Sequence, residues 1–192
     1  LAPGGLIAIY GSGLSGPGQD TAIEINGVST TVIAGSPFQI TAQVPPGLSA
    51  GTQTLRLVSP YGAADQQIVI SEVAPVIFVL SGGAQPQGAI VNQDGQINTI
   101  LAPGRRAQVL TIYGTGMGTV SFSGGLSRTV TPVAAILNGT ELTPAFAGLT
   151  PGIVGLYQVN LQVPATAAPG LGLPLLLRQA GVDSNTVYVT IQ

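Results

Sequence analysis

The sequence predicts an all-β protein made of two tandem β-sandwiches, and three observations carry that expectation. The chain repeats itself in order, its apolar residues alternate with polar ones at period two, and glycine and proline interrupt it too often for a long helix.

The repeat comes first. Ala2-Pro3-Gly4 recurs as Ala102-Pro103-Gly104, and Ile9-Tyr10-Gly11-Ser12-Gly13 recurs as Ile112-Tyr113-Gly114-Thr115-Gly116. Ile25-Asn26-Gly27 returns as Leu137-Asn138-Gly139, and Phe38-Gln39-Ile40-Thr41-Ala42-Gln43-Val44-Pro45 as Tyr157-Gln158-Val159-Asn160-Leu161-Gln162-Val163-Pro164. The offset is 103 at Tyr10/Tyr113, 112 at Asn26/Asn138 and 119 at Gln39/Gln158, so copy two carries insertions of 9 and 7 residues. Beyond Gln158 the offset holds at 119, with Gly51 matching Gly170 and Gly62 matching Gly181. Insertions placed in loops between constant strands are what a sandwich tolerates. The expected division is a first sandwich over 1–73 and a second over 74–192. The stretch 74–101, unmatched in copy one, is read as an extra N-terminal β-hairpin of the second sandwich, turning at Asp94-Gly95.

The alternation comes next. Phe38, Ile40, Ala42 and Val44 fall on one face of a strand and Gln39, Thr41 and Gln43 on the other, a pattern that Tyr157, Val159, Leu161 and Val163 repeat. Asn26-Gly27 and Asn138-Gly139 each lie between short apolar runs, and Asn-Gly suits a type I′ hairpin because both central residues take positive φ. The 28 Gly and 15 Pro, with segments such as Val44-Pro45-Pro46-Gly47, stop strands rather than cap helices. Short strands at regular spacing with turn signals between them are the signature of an immunoglobulin-like sandwich.

Composition excludes several functions. Charged residues are 6% of the chain, against about 25% in ordinary soluble domains, while 45% are hydrophobic. A spanning helix needs about 20 continuous apolar residues, and the nearest run, Val73 to Leu80, contains Pro75. Evenly spaced barrel strands with aromatic girdles do not fit 5 Tyr, 4 Phe and no Trp, so no membrane insertion is expected. With no Lys, five Arg and a net charge of −2, the chain lacks the basic footprint of a nucleic-acid binder. No Cys and no His are present, which removes disulfides, thiolate metal sites and every Ser-His-Asp or Cys-His catalytic arrangement. The opening Leu1-Ala2-Pro3-Gly4 reads as the start of a mature or excised segment of a longer precursor.

Candidate sites are few. Gly11-Ser12-Gly13-Leu14-Ser15-Gly16 matches the G-x-G-x-x-G pattern, but a dinucleotide loop must open a helix whose N-terminus faces the pyrophosphate. Pro17-Gly18 follows instead, and copy two has Thr119 in place of the third glycine, so the glycines are read as turn residues. The seven acids (Asp20, Glu24, Asp65, Glu72, Asp94, Glu141, Asp183) are scattered, which weighs against a carboxylate hydrolase. Asn92, Asp94 and Asn98 offer oxygen ligands for calcium, although Asp94-Gly95 making a turn is the favoured reading. Arg105-Arg106 is taken as a solvated strand start, and the sequon Asn138-Gly139-Thr140 as the hairpin turn. The equivalent aromatics, Tyr10 with Tyr113 and Phe38 with Tyr157, are assigned to core or corner positions. Leu149, Thr150, Pro151 and Ile153 form a loop special to copy two and are the candidate contact residues. No cofactor is expected.

At these motifs the chain resembles the C-terminal domain typical of large secreted acidobacterial (Solibacter-type) proteins, itself similar to the IPT/TIG immunoglobulin-like fold. Carrying the likeness are Ile112-Tyr113-Gly114-Thr115-Gly116-Met117-Gly118 and Ala147-Gly148-Leu149-Thr150-Pro151-Gly152 through to Val163-Pro164, with Asn92-Gln93-Asp94-Gly95 and Ala74-Pro75-Val76-Ile77-Phe78. Copy one departs from it, having Gly35-Ser36-Pro37 where copy two has the longer loop. The resemblance implies a secreted or cell-surface, repeat-built protein and brings no catalytic residues. The expected function is therefore a non-catalytic structural or adhesive module of a larger protein. A carbohydrate-binding module is the alternative and a carboxylate-dependent hydrolase the remote one. Expected partners are other modules of the same precursor, surface proteins or glycans, and with so few charges exposed strand edges are expected to allow self-association.

Overall fold

The computed structural model describes residues 1–15 and 21–192. Gly16, Pro17, Gly18 and Asp20, which entered the glycine-loop and acid readings, lie outside the described residues. All regular structure among the described residues is β, and no helix is long and apolar enough to cross a membrane. The chain divides into Leu1–Val73 and Ala74–Gln192.

The first unit contains β1 (Leu6–Tyr10), β2 (Ala22–Ile25), β3 (Val28–Ser29), β4 (Thr31–Gly35), β5 (Gln39–Gln43), β6 (Gly51–Ser59) and β7 (Gly62–Ile70). They form two antiparallel sheets in the orders β1-β5-β4 and β3-β2-β6-β7. With β1 as strand B these are B-E-D and C′-C-F-G, the immunoglobulin arrangement. Ile40, Ala42 and Val44 of the alternating segment face Ile23, Ile25, Leu55, Leu57 and Ile70 of the other sheet in one buried cluster. Burying each such Ile or Leu contributes about 1.5–3 kcal/mol. Leu14, from the loop after β1, closes the cluster at one end.

The second unit contains β8 (Val76–Ile77), β9 (Val79–Ser81), β10 (Gln87–Gly88), β11 (Ile90–Asn92), β12 (Val109–Thr115), β13 (Val120–Ser123) and β14 (Leu126–Thr129). It continues with β15 (Val133–Leu137), β16 (Thr140–Leu142), β17 (Phe146–Leu149), β18 (Tyr157–Gln162), β19 (Gly170–Gln179), β20 (Val182–Asp183) and β21 (Val187–Ile191). The same B-E-D core recurs as β12-β18-β17 and the same C′-C-F-G core as β16-β15-β19-β21. Both sheets are extended. The segment 74–101 supplies β8 and β11 to the edge beside β12, while β9 and β10 form a hairpin whose β10 runs parallel to β21. The chain is thus two tandem immunoglobulin-like sandwiches.

The nine-residue insertion is more than a loop. It forms the β13–β14 hairpin, which adds to the outer edge of β17 through Arg128 and Gly148. A Cβ on Gly148 would stand 2.0 Å from the Ser127 carbonyl, so the hairpin docks only against a glycine. Arg128 also lies over the Phe146 ring at 4.8 Å.

The Asn-Gly turns adopt positive φ at both residues, 51° and 74° at Asn26-Gly27 and 48° and 80° at Asn138-Gly139, as type I′ geometry requires. Gly124-Gly125, at 60° and 80°, and Ala180-Gly181, at 49° and 77°, make two further such turns, neither with the asparagine that would have announced it.

The equivalent residues Tyr157 and Phe38 part company. Tyr157 is buried in the second core, and its hydroxyl donates to the Gly118 carbonyl at 2.5 Å. Burial pushes its pKa up to about 12. An unfolded tyrosine ionises near pH 10, so this group's contribution is complete below about pH 10 and is lost as pH rises towards 12, a loss of roughly 2–3 kcal/mol. Denaturant unfolding across that range is expected to show the fall in wild type, and Tyr157→Phe to remove that pH dependence at a fixed cost of about 1 kcal/mol. An equal fall in the variant would assign the effect elsewhere.

Phe38, in contrast, is 68% exposed, correcting its assignment to the core. Ser36 causes this. Its Oγ accepts from the N–H groups of Phe38 and Gln39, and its own N–H donates to the Gln39 carbonyl. Phe38 therefore lies in a turn, and strand parity begins only at Gln39.

Candidate functional site

Three loops meet at one end of the first unit. After β1, the Gly11 N–H donates to the Phe38 carbonyl at 3.1 Å and the Leu14 N–H to the Pro37 carbonyl at 3.0 Å, pinning the glycine loop to the β4–β5 turn. Thr21 Oγ1 donates to the Leu14 carbonyl. Tyr61, at the tip of the β6–β7 hairpin, lays its ring against Gly13, where a Cβ would stand 3.3 Å from it. A cleft of about 210 Å³ opens between Gly13, Leu14 and the hairpin residues Ser59 and Tyr61 to Ala64.

The result is three exposed rings, at the end of β1 and on the two loops beside it: Tyr10 at 74%, Phe38 at 68% and Tyr61 at 70%. Strand parity explains Tyr10. Ile9 pairs with the buried Ile40 and Tyr10 pairs with the outward-facing Gln39, so the ring leaves the core at the end of β1. That corrects its core assignment. Its counterpart Tyr113 is half-buried, flanked by backbone bonds to Phe78 and Ala89 that copy one does not have. No residue of segments 10–15, 36–39 or 59–62 is charged. A surface of this kind offers wide apolar faces with hydroxyl and amide edges, and each ring can bury about 150–250 Å². As for the G-x-G-x-x-G match, Leu14 sits in the core and turns the loop inward, so no helix opens from the described part of it.

In the second unit the structure brings Asn92 and Asn98 together. Asn98 Nδ2 donates to Asn92 Oδ1 at 2.9 Å and to the Thr190 carbonyl at 3.0 Å, while Asn98 Oδ1 accepts from the Thr190 N–H at 2.8 Å. Asn92 Nδ2 donates to the Ala102 carbonyl at 2.8 Å. Both amide oxygens are engaged by N–H donors. Asp94 is exposed in the turn, and its Oδ1 accepts from the Gln96 N–H. The pair braces the loop 93–102 against β21, and the three residues do not converge as a set of free oxygens.

The candidate contact loop starts at the end of β17. Leu149 and Thr150 are half-buried, Pro151 is exposed and Ile153 is 53% exposed beside Val154 at 48%. Its base is held by Thr150 N–H donating to the Leu156 carbonyl and by Thr115 Oγ1 donating to the Gly155 carbonyl.

Of the acids, Asp183 and Glu141 flank one guanidinium. Arg178 meets Asp183 at 2.5 Å and Glu141 at 3.9 Å on an exposed sheet face. The hydrogen bond and charge of Arg178 hold the Asp183 carboxyl below its ordinary range. Asp65 is likewise paired with Arg56, at 3.2 Å. Held ionised by Arg178, the Asp183 carboxylate is a poor proton acceptor for catalysis.

No family model and no curated protein matches the chain. Solved structures that resemble it include a Bacteroides ovatus mixed-linkage glucan utilization locus SGBP-B in complex with a mixed-linkage heptasaccharide (14% identity, TM-score 0.43, covering 100% of this chain and 43% of that one). Others are SGBP-B from a complex xyloglucan utilization locus in Bacteroides uniformis (13%, 0.32, 98% and 45%) and the titin Ig tandem domains A164-A165 (11%, 0.29, 100% and 90%). The chain spans less than half the length of the two SGBP-B proteins.

Proposed function

We propose that the chain is a non-catalytic structural or adhesive module of a larger secreted or cell-surface bacterial protein, of the acidobacterial, IPT/TIG-like kind its motifs resemble. One observation carries this reading: buried polar side chains are turned to holding loops in place. Asn98 and Asn92 brace 93–102, Gln179 Nε2 ties the Met117 and Thr131 carbonyls, and the Tyr157 hydroxyl ties Gly118. Such a framework fixes surface loops rigidly on two sheets, which suits presentation and spacing.

A second reading, carbohydrate binding, is favoured by Tyr10, Phe38 and Tyr61. Three large rings are exposed at or beside uncharged loops that contact one another, and exposed apolar side chains of this kind mark interaction sites. Affinity electrophoresis through gels containing neutral polysaccharides tests both readings. Carbohydrate binding predicts retardation that weakens at least about tenfold in Kd, about 1.4 kcal/mol, in a Tyr10→Ala/Phe38→Ala/Tyr61→Ala variant. Unretarded migration in every gel would remove the carbohydrate reading and leave the spacer, whereas release of reducing sugar would overturn the non-catalytic assignment.

A further inference from the structure

We infer that the second unit carries its own built subsite for a neutral sugar residue, in the cleft between β9, the loop 98–100 and the start of β19. The inference rests on the carbohydrate reading above but on separate residues. The cleft measures about 330 Å³, at the small end of the range for ligand sites and suited to a short stretch of glycan. None of its lining residues is charged. Its polar groups are those that recognise hydroxyls: Ser81, Gln85, Gln87, Thr99 and Tyr188. Ile100, 69% exposed, and Leu171, 74% exposed, supply apolar surface at its rim for the C–H face of a ring.

What separates this cleft from an incidental groove is its bracing. One wall is the loop held by the Asn92–Asn98–Thr190 network, and Gln87 Nε2 reaches across to donate to the Asn98 carbonyl at 2.9 Å. The floor is fixed by the Tyr188 N–H donating to the Pro86 carbonyl at 2.9 Å. On the far side, Gln85 Oε1 would lie only 2.8 Å from a Cβ on Gly172, so glycine there gives the amide its place. Among the described residues the Ser81 hydroxyl, the Gln85 amide and the Tyr188 hydroxyl have no hydrogen-bond partner within the protein. A preformed, uncharged cleft with open donors and acceptors above an apolar rim fits a neutral polyhydroxylated ligand and disfavours a charged one, whose counter-charge it lacks.

The test is an amide NMR titration of the full chain with short neutral oligosaccharides (β-glucan, xylan, mannan and galactan) and one acidic uronate oligosaccharide. It is run in wild type and in the Tyr10→Ala/Phe38→Ala/Tyr61→Ala background. The expected result is saturable shifts at Ser81, Thr99 and Tyr188 with a neutral sugar, persisting in that background and weakened at least tenfold by Gln85→Ala or Leu171→Ser, both at exposed positions. Shifts confined to the first unit would overturn the cleft and leave the carbohydrate reading standing. A response to the uronate alone would overturn the neutral-ligand assignment, and no shifts with any sugar would remove both.

Discussion

Replacing Asn98 with alanine is expected to destabilise the second unit by roughly 3–5 kcal/mol. The side chain is 2% exposed and makes three hydrogen bonds, so its loss leaves the Thr190 N–H and Asn92 Oδ1 without partners in a dry setting and leaves the Thr190 carbonyl with only the Gly104 N–H. Each such group contributes about 1–3 kcal/mol, reduced where water enters as the loop relaxes. Aspartate does not rescue it, because a carboxylate can accept from Thr190 but presents a second oxygen to the Thr190 carbonyl and to Asn92 Oδ1. In calorimetry the transition of the second unit is expected to fall by about 10–20 °C, with that of the first unit unmoved. If Asn98→Ala shifts the transition by only a degree or two, the network is decoration and the loop 93–102 is held by something else.

Asn98 also shows where reading from the sequence stops. Asn92, Asp94 and Asn98 were recognisable as a cluster of oxygen-bearing residues near a turn, yet composition does not say which way an amide faces. Its oxygens serve a backbone N–H and a neighbouring amide, a matter of tertiary position. The strands were legible where one face is wholly apolar, as in Ile40, Ala42 and Val44 and again in Val159, Leu161 and Val163, all fully buried. The β13–β14 hairpin was not. Its strands are four residues each and mostly exposed or half-exposed, so Val120–Ser123 and Leu126–Thr129 carry almost no alternation of burial for periodicity to detect.

The aromatic surface was missed for a different reason. The alternation from Phe38 to Val44 continues one residue too far on paper, because Ser36-Pro37 ends the preceding strand and bends the chain before Gln39. That serine was the available signal: Ser followed by Pro is a turn initiator, and its hydroxyl competes for the next N–H groups. The repeat pairs Tyr10 with Tyr113. Equal sequence did not bring equal cover, since copy two adds β8 and β11 alongside the strand and copy one has no such neighbours among the described residues.

The same inequality makes the repeated Tyr-Gly-x-Gly motif a direct experiment. In copy two, a Cβ on Gly116 would stand 2.0 Å from the Ala74 carbonyl, and its φ of 77° is already unfavourable for any other L-residue. The Gly116 carbonyl also accepts from the Ala74 N–H at 2.8 Å, so any shift that relieves the overlap breaks that bond. Left-handed strain of about 1–2 kcal/mol adds to the overlap and the lost bond, and Gly116→Ala is expected to cost about 3–5 kcal/mol. In copy one the equivalent Gly13 has a similar φ of 66°, but its Cβ would meet the Tyr61 ring at 3.3 Å, and that ring is 70% exposed and free to move outward. Gly13→Ala should therefore cost only the backbone strain, about 1–2 kcal/mol, while displacing Tyr61 and weakening any ligand that stacks there. Denaturant unfolding of the two variants, with sugar binding as a second readout, decides the matter. Equal losses of stability would mean that φ alone sets the requirement for glycine. The expected excess at Gly116 would instead locate that requirement in the backbone strand that copy two lays against the motif.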